Sequence, residues 1–209
     1  MKIVVLYSGG LDSTLAFHIA KEWGAEIFPL YVYSKFLALK HQPVIPDLKI
    51  IDITREFIDI VRSPQHGYGK NLNPCIDCRI LMLKKAKEYM EKINADFIVT
   101  GEVLDQRPMS QRFEQLMKID KRAGLEGFVV RPLSGGLLPE TIPEKKGWIS
   151  RNDLLGIKGR SRKITLDLAQ KMKVERFASP SGGCLLTDPG FCRRLADLIR
   201  YQDKVGVRD

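Results

Sequence analysis

Long apolar runs are missing from this chain: no stretch approaches the roughly 18 residues that a membrane-spanning helix needs. The opening residues, Met1-Lys2-Ile3-Val4-Val5-Leu6-Tyr7, are too short for a secretory leader and run straight into a glycine turn. They read as a strand, and the expected location is cytoplasmic, with no membrane partner. Cysteine is scarce. Four in 209 residues are too few for a disulfide scaffold, so in a reducing compartment they bind metal, react, or lie inert in the core. Histidine is scarcer. His18, His41 and His66 form no HxxxH pair and no recognisable triad with Ser and Asp, so none is assigned as a metal ligand. Neither GxGxxG nor GxxxxGK[ST] is present, and without the Walker lysine ordinary γ-phosphate transfer is disfavoured. There is no internal repeat, low-complexity tract or heptad run.

What is present suits an ordinary globular protein. Hydrophobic residues make up 44% and charged residues 28%, enough for a sizeable core in one large domain or one domain with a small appendage. The 34 Lys and Arg against 25 Asp and Glu leave +9, which favours a polyanionic partner.

Along the chain, apolar runs alternate with helical patterns. Residues 2–7, 26–32, 49–53, 96–101 and 128–130 read as strands. Pro29 weakens the second strand or puts it at an edge. Leu15, Ala16, Ile19, Ala20 and Trp23 recur at helical spacing, with Asp12 or Ser13 as a candidate cap and Gly24 as a stop. A short helix follows through Phe57, Ile58 and Val61. Residues 63–74 read as a loop, 76–91 as a strong helix, and 108–123 as a helix with Pro108 in its first turn. Further helices are expected near 165–172 and 189–203. This order predicts an α/β fold: a doubly wound, mostly parallel, Rossmann-like sheet with helices on both faces. Residues 1–130 are expected to form the core. Residues 131–209 are expected to form an extension packed on that core.

Ser8-Gly9-Gly10-Leu11-Asp12-Ser13 lies between the first strand and the first helix. A parallel sheet delivers ligands to the C-terminal ends of its strands. Consecutive N–H groups in a glycine turn, followed by a helix start, bind phosphate. Gly9 and Gly10 permit close approach, and Ser8 and Ser13 add hydroxyl donors. Asp12 suits a Mg²⁺ that bridges phosphates, or it caps the helix. A plain tight turn is the bland alternative.

Cys75-Ile76-Asp77-Cys78 is a CxxC just ahead of a helix, where the positive helix end is expected to lower thiolate pKa. Cys184 follows Ser181-Gly182-Gly183 in a turn, while Cys192 sits in an apolar helical pattern with Phe191, Leu195 and Leu198 and reads as core. Cys75, Cys78 and Cys184 are thus the candidate ligands or reactive thiols. They leave open a Zn²⁺ site, an iron–sulfur cluster, or a relay in which one cysteine carries a persulfide and another resolves it as a disulfide.

Gly101-Glu102-Val103-Leu104-Asp105-Gln106-Arg107 follows a strand, a ligand-facing position. Gly101 is a candidate for close approach of the nucleotide, and Gln106 and Arg107 are candidates for contact with phosphate or substrate. Ser110 and Gln111 are weaker candidates. Lys158, Arg160, Arg162 and Lys163 form the best nucleic-acid patch, in a segment that two glycines are expected to keep mobile. A solvated basic loop is its bland alternative.

Ser8–Ser13 also fits SGGxDS, the signature of the PP-loop ATP pyrophosphatases, whose fold is the adenine nucleotide alpha hydrolase-like type. The segment Asn73-Pro74-Cys75-Ile76-Asp77-Cys78 resembles the NPCxxC of tRNA 2-thiouridylases. Asp96–Gly101 resembles their strand ending in Thr-Gly. Gly183-Cys184 resembles the second catalytic cysteine of tRNA-thiolating enzymes, including 4-thiouridine synthases. The resemblance covers residues 2–105 and, more loosely, 180–200. Within these 209 residues no counterpart is expected of the synthases' separate N-terminal RNA-binding domain or of the thiouridylases' β-rich C-terminal region.

The resemblance implies an ATP-dependent tRNA sulfurtransferase that adenylates a uridine oxygen and releases pyrophosphate. ATP and Mg²⁺ would sit on Ser8, Gly9, Gly10, Asp12, Ser13 and Gly101. Catalysis would fall to Cys184, Cys75, Cys78 and Asp12, with the three cysteines also implied as ligands of a [4Fe-4S] cluster. The implied partners are tRNA and a sulfur donor, either sulfide or a persulfide-carrying protein, and a homodimer is compatible. A PP-loop enzyme that thiolates or amidates a small molecule is the alternative, as is a non-catalytic nucleotide- or RNA-binding module.

Overall fold

The computed structural model describes residues 1–37, 45–174, 177 and 184–201. His41 and the Ser181-Gly182-Gly183 turn lie outside them. The chain runs β1 (Lys2–Leu6), α1 (Leu11–Glu22), β2 (Glu26–Tyr33), β3 (Lys49–Asp52), α2 (Thr54–Arg62), α3 (Cys75–Lys92), β4 (Phe97–Thr100), α4 (Phe113–Arg122), β5 (Val129–Val130), α5 (Ile142–Lys145), α6 (Lys163–Lys171) and α7 (Pro189–Tyr201). The strands form one sheet in the order β3-β2-β1-β4-β5, and all four named pairs are parallel.

Strand alternation sorts the apolar side chains onto two faces. Val4, Leu6, Leu30, Val32 and Ile98 pack against Ile76, Ile80, Leu83, Ala86 and Met90, the buried stripe of α3. Ile3, Val5, Phe97 and Val99 pack on the other face against Ala16 and Ala20 of α1. The doubly wound expectation holds. The chain leaves β3 at one edge and returns on the far side of β1 as β4. The C-terminal ends of β1 and β4 therefore flank a topological switch point, where such sheets bind ligands.

Two local expectations fail. Pro29 lies in an interior strand, not an edge. The Leu30 carbonyl accepts from Tyr7 N at 2.8 Å, so Pro29, one residue out of phase, turns its donor-less nitrogen away from β1. On that side β3 begins pairing only at Leu30. The helix predicted over 108–123 starts at Phe113. Asp105 adopts φ +61°, and Asp105 N and Gln111 N donate to Gln111 O and Arg107 O, so residues 105–112 form a closed loop instead. The start of the basic segment is tied to the residues after β4: Lys158 bridges Leu104, and Gly159 N donates to Leu104 O at 2.8 Å.

Residues beyond β5 pack on α1. Leu133, Ile157, Ala169 and Val174 join Leu11, Leu15, Ile19 and Val103 in one apolar cluster. Residues of α7 join Phe36, Phe57, Ile58 and Val61 in another.

Candidate functional site

The glycine turn leaves the C-terminal end of β1. Gly9 is buried and takes φ +74°, a conformation that a side chain would disfavour. Gly10 is the residue before α1, and no side chain caps that helix, so neither Asp12 nor Ser13 plays the expected capping role. Ser13 Oγ instead braces the turn. It donates to Gly10 O at 2.9 Å and accepts from Ser8 N at 3.2 Å, with Ser8 Oγ 3.1 Å away. Thr14 Oγ1, which the motif reading passed over, adds a second bond to Gly10 O at 3.0 Å.

Gly101 meets this turn from β4. A Cβ there would lie 2.5 Å from the Asp12 carbonyl carbon and oxygen and 2.6 Å from Ser13 N. The glycine lets β4 touch the first turn of α1. Gly101→Ala is expected to push that turn out of place and weaken ATP binding by about tenfold or more while the fold survives. Titration calorimetry with ATP and Mg²⁺ checks this. Unchanged affinity would mean that the turn has no part in nucleotide binding.

Asp12 points its Oδ1 into a buried position with no hydrogen-bond partner. Burial raises its pKa, while a side-chain hydrogen bond from Gln106 and the charges of Arg162 and Arg107 draw it back. A buried carboxylate oxygen left without a donor is a fitting ligand for a hard cation such as Mg²⁺. Arg162, half-buried at the start of α6, thus faces the nucleotide loop, whereas Lys158, Arg160 and Lys163 are exposed.

Cys75 is the first residue of α3, and its thiol donates to Asn73 Oδ1 at 3.1 Å. Asp77, between the two cysteines, accepts from His66 N at 2.9 Å and lies 2.7 Å from His66 Nδ1. His66, assigned no role from sequence, therefore closes the 63–74 loop onto the CxxC. Cys184 arrives from the far end of the chain. It bridges Leu37 just past β2, Leu185 N donates to Phe36 O at 2.8 Å, and Asn71 Nδ2 donates to Thr187 O at 2.9 Å. Cys78 and Cys184 pack on the same apolar cluster, and all three thiols are partly buried and free. Cys192 is buried there with Sγ 3.1 Å from Leu186 O, as its apolar pattern predicts.

Burial raises all three thiols, Cys78 to about 12 and Cys184 to about 11, although Arg107 pulls each of them down. The expectation of a lowered thiolate pKa in the CxxC is overturned, because desolvation outweighs the pull of the Arg79 and Arg107 guanidinium groups. Cys75 adds a smaller upward push on both Cys78 and Cys184, so the three thiols lie within electrostatic reach of one another. Among the described residues, however, no group of three or more His, Cys, Asp or Glu could hold a metal ion. The zinc and [4Fe-4S] alternatives find no support there.

Behind the cysteines runs a buried line of charges that sequence reading missed. Arg131 pairs bidentately with Asp120 at 2.8 and 2.7 Å and donates through Nε to Glu102 Oε2 at 3.0 Å. Glu102 Oε1 in turn accepts from Arg79 Nε at 3.0 Å and pairs with Nη2 at 2.8 Å. Burial opposes ionisation of Glu102, yet Arg79 and Arg131 hold its pKa down to about 2.

No described helix is long and apolar enough to cross a membrane. A probable tRNA sulfurtransferase of Thermococcus kodakarensis is 29% identical over 144 residues, covering 64% of this chain and 37% of that protein. The tRNA-specific 2-thiouridylase MnmA of Helicobacter hepaticus is 30% identical over 120 residues, covering 48% of this chain and 34% of that protein. The chain thus spans well under half the length of these relatives. A solved 4-thiouridine synthetase–RNA complex with bound ATP shares the fold, with a TM-score of 0.56 at 18% identity over 95% of this chain and 50% of that one. The family model for the thiamine biosynthesis protein (ThiI) matches residues 1–142. Because that match runs from β1 past β5, it takes in the whole sheet and not only its glycine turn, and the chain belongs to the thiamine biosynthesis protein (ThiI) family.

Proposed function

We propose that this chain is an ATP-dependent tRNA sulfurtransferase in which the glycine turn and the three cysteines serve one site. The observation that carries the reading is the end of β4, where Gly101 lies against the Asp12–Ser13 backbone of the nucleotide turn and Glu102 holds Arg79, the residue after Cys78. The names of the sulfurtransferase and thiouridylase relatives support the same reading.

ATP phosphates lie on the N–H groups of Ser8–Ser13, with Arg107 and Arg162 offsetting their charge. Asp12 would hold Mg²⁺, which supplies charge neutralisation at the phosphates. A uridine carbonyl oxygen attacks the α-phosphate, and pyrophosphate leaves. The terminal sulfur of a persulfide on Cys184 then attacks the activated carbon, and AMP departs with the C–O electron pair. Cys75 or Cys78 attacks the Cys184 sulfur, freeing the thiolated base and leaving a disulfide. An external thiol reduces that disulfide before the next turnover. No step runs through a metal cluster, because the described side chains do not form a site for one. Lys158, Arg160 and Lys163 contact the RNA backbone, so tRNA affinity falls steeply with salt.

The test combines the purified chain with ATP, Mg²⁺, bulk tRNA, a persulfide-carrying protein that passes its outer sulfur to the Cys184 thiolate, and a thiol reductant. Pyrophosphate and AMP are expected to appear in step with a thiolated nucleoside, read by mass spectrometry of digested tRNA. Exchange of labelled pyrophosphate into ATP without RNA thiolation would move the acceptor to a small molecule. No exchange at all would leave a nucleotide-binding module. A coloured, iron-containing protein after anaerobic purification would replace the persulfide relay with a cluster.

A further inference from the structure

The sheet contributes more than a platform, because three consecutive residues at the end of β4 touch both halves of the site. Thr100 closes the strand. Gly101 lies against the Asp12–Ser13 backbone, with no room for a Cβ. Glu102 faces the other way, towards α3. Its Oε2 is fixed by Thr100 Oγ1 at 3.2 Å and Arg131 Nε at 3.0 Å, and its side chain is 2% exposed. Its Oε1 takes two donors from Arg79, the residue immediately after Cys78. The nucleotide turn and the cysteine helix are therefore held by adjacent residues, Gly101 and Glu102, at the end of β4.

We infer that the Glu102–Arg79 pair registers the CxxC helix on the nucleotide loop, which makes Arg79 a positioning residue for sulfur transfer. The inference rests on the sulfurtransferase reading given above. In-line attack needs sulfur and carbon within about 3.5 Å, and an error of about 1 Å can cost on the order of 10²-fold in rate. The planar fork of an arginine on a fixed carboxylate removes the sliding that a single donor would allow. Arg79 is 24% exposed and Glu102 keeps Arg131 without it, so its removal spares the core.

The experiment compares the parent with Arg79→Met and Arg79→Lys. In Arg79→Met, ATP–pyrophosphate exchange should stay within about twofold while thiolation falls about 30-fold or more. Arg79→Lys keeps the charge without the fork and should recover part of the loss. A second readout needs no turnover: protection of Cys75 from iodoacetamide by ATP and Mg²⁺. Protection is expected in the parent and lost in Arg79→Met at unchanged ATP affinity. Parallel loss of exchange, thiolation and melting temperature would mark Arg79 as merely structural and overturn the inference. Unchanged thiolation with unchanged protection would also overturn it. A parent that binds ATP but thiolates no RNA would defeat the proposed acceptor alone, and the protection readout would still decide the role of Arg79. A parent that binds no ATP would overturn both.

Discussion

Cys184→Ala should abolish sulfur transfer, lowering thiolation by a factor on the order of 10³ or more while leaving ATP–pyrophosphate exchange within about twofold of the parent. The asymmetry follows from how Cys184 is held. Its segment is fixed through backbone: the bridge to Leu37, and the bond from Leu185 N to Phe36 O. Alanine preserves both. The nucleotide turn is built from β1, α1 and the end of β4, none of which needs the sulfur. Cys192→Ala is the matched control. That thiol is buried among Phe36, Phe57, Leu186 and Leu195, so its loss leaves a small void and costs about 1 kcal/mol of stability without touching activity. Labelled pyrophosphate exchange and nucleoside mass spectrometry read the two activities separately. If the Cys184 variant still thiolates tRNA, the persulfide carrier lies elsewhere. If the Cys192 variant is the inactive one, the two roles are reversed.

The features legible in the sequence are the local ones. An apolar run, a glycine turn and a helical stripe are each written in consecutive residues, so β1, Ser8–Ser13 and α1 could be read directly. The long helix α3 was equally plain, because its buried positions recur every three or four residues over five turns. Pro29 misled because the edge rule looks at a residue, while tolerance depends on which neighbour its nitrogen faces. Pro108 misled because a residue suited to a first helical turn is equally suited to a loop, and Asp105 in the left-handed region had already closed one. Thiol acidity was misjudged because the helix end is local but burial is not. Cys78 and Cys184 pack on a cluster that takes in Phe36, Leu72 and Leu81, which come from separate segments. The buried charges were hidden for the same reason, since Arg79, Glu102, Asp120 and Arg131 are far apart in the chain. One signal could have found them: Arg131 directly follows β5 and Glu102 lies two residues past β4, where a charge beside an apolar strand must be either exposed or paired.

Arg131→Met is expected to destabilise the protein most, by about 3–5 kcal/mol, because it strands the buried Asp120 carboxylate and leaves Glu102 with Arg79 alone. At about 2–4 °C per kcal/mol for a chain of this size, the melting temperature should drop on the order of 10 °C. Arg131 is 1% exposed and meets Asp120 through two parallel bonds and Glu102 through a third. Asp120→Asn should cost much less. Burial already pushes the Asp120 carboxyl up against the pull of Arg131, so its charge is the less well supported of the two. The pH dependence separates them further. Glu102 is held down to about 2 from its ordinary 4.5, so its ionisation stabilises the native state fully above about 4.5 and that contribution is lost as pH falls towards 2. Asp120 has the opposite sign: with its pKa raised, it takes its proton first as pH falls, and doing so relieves the native state. The parent should therefore lose stability mainly below about pH 4.5, with the loss blunted by Asp120. In Arg131→Met, Glu102 keeps only Arg79, its pKa rises, and the acid limb flattens. Melting temperatures taken from about pH 3 to 7 measure this directly. A drop smaller than about 2 °C at neutral pH, or an unchanged acid limb, would show that the buried charges are not what ties the ends of β4 and β5 to α3 and α4.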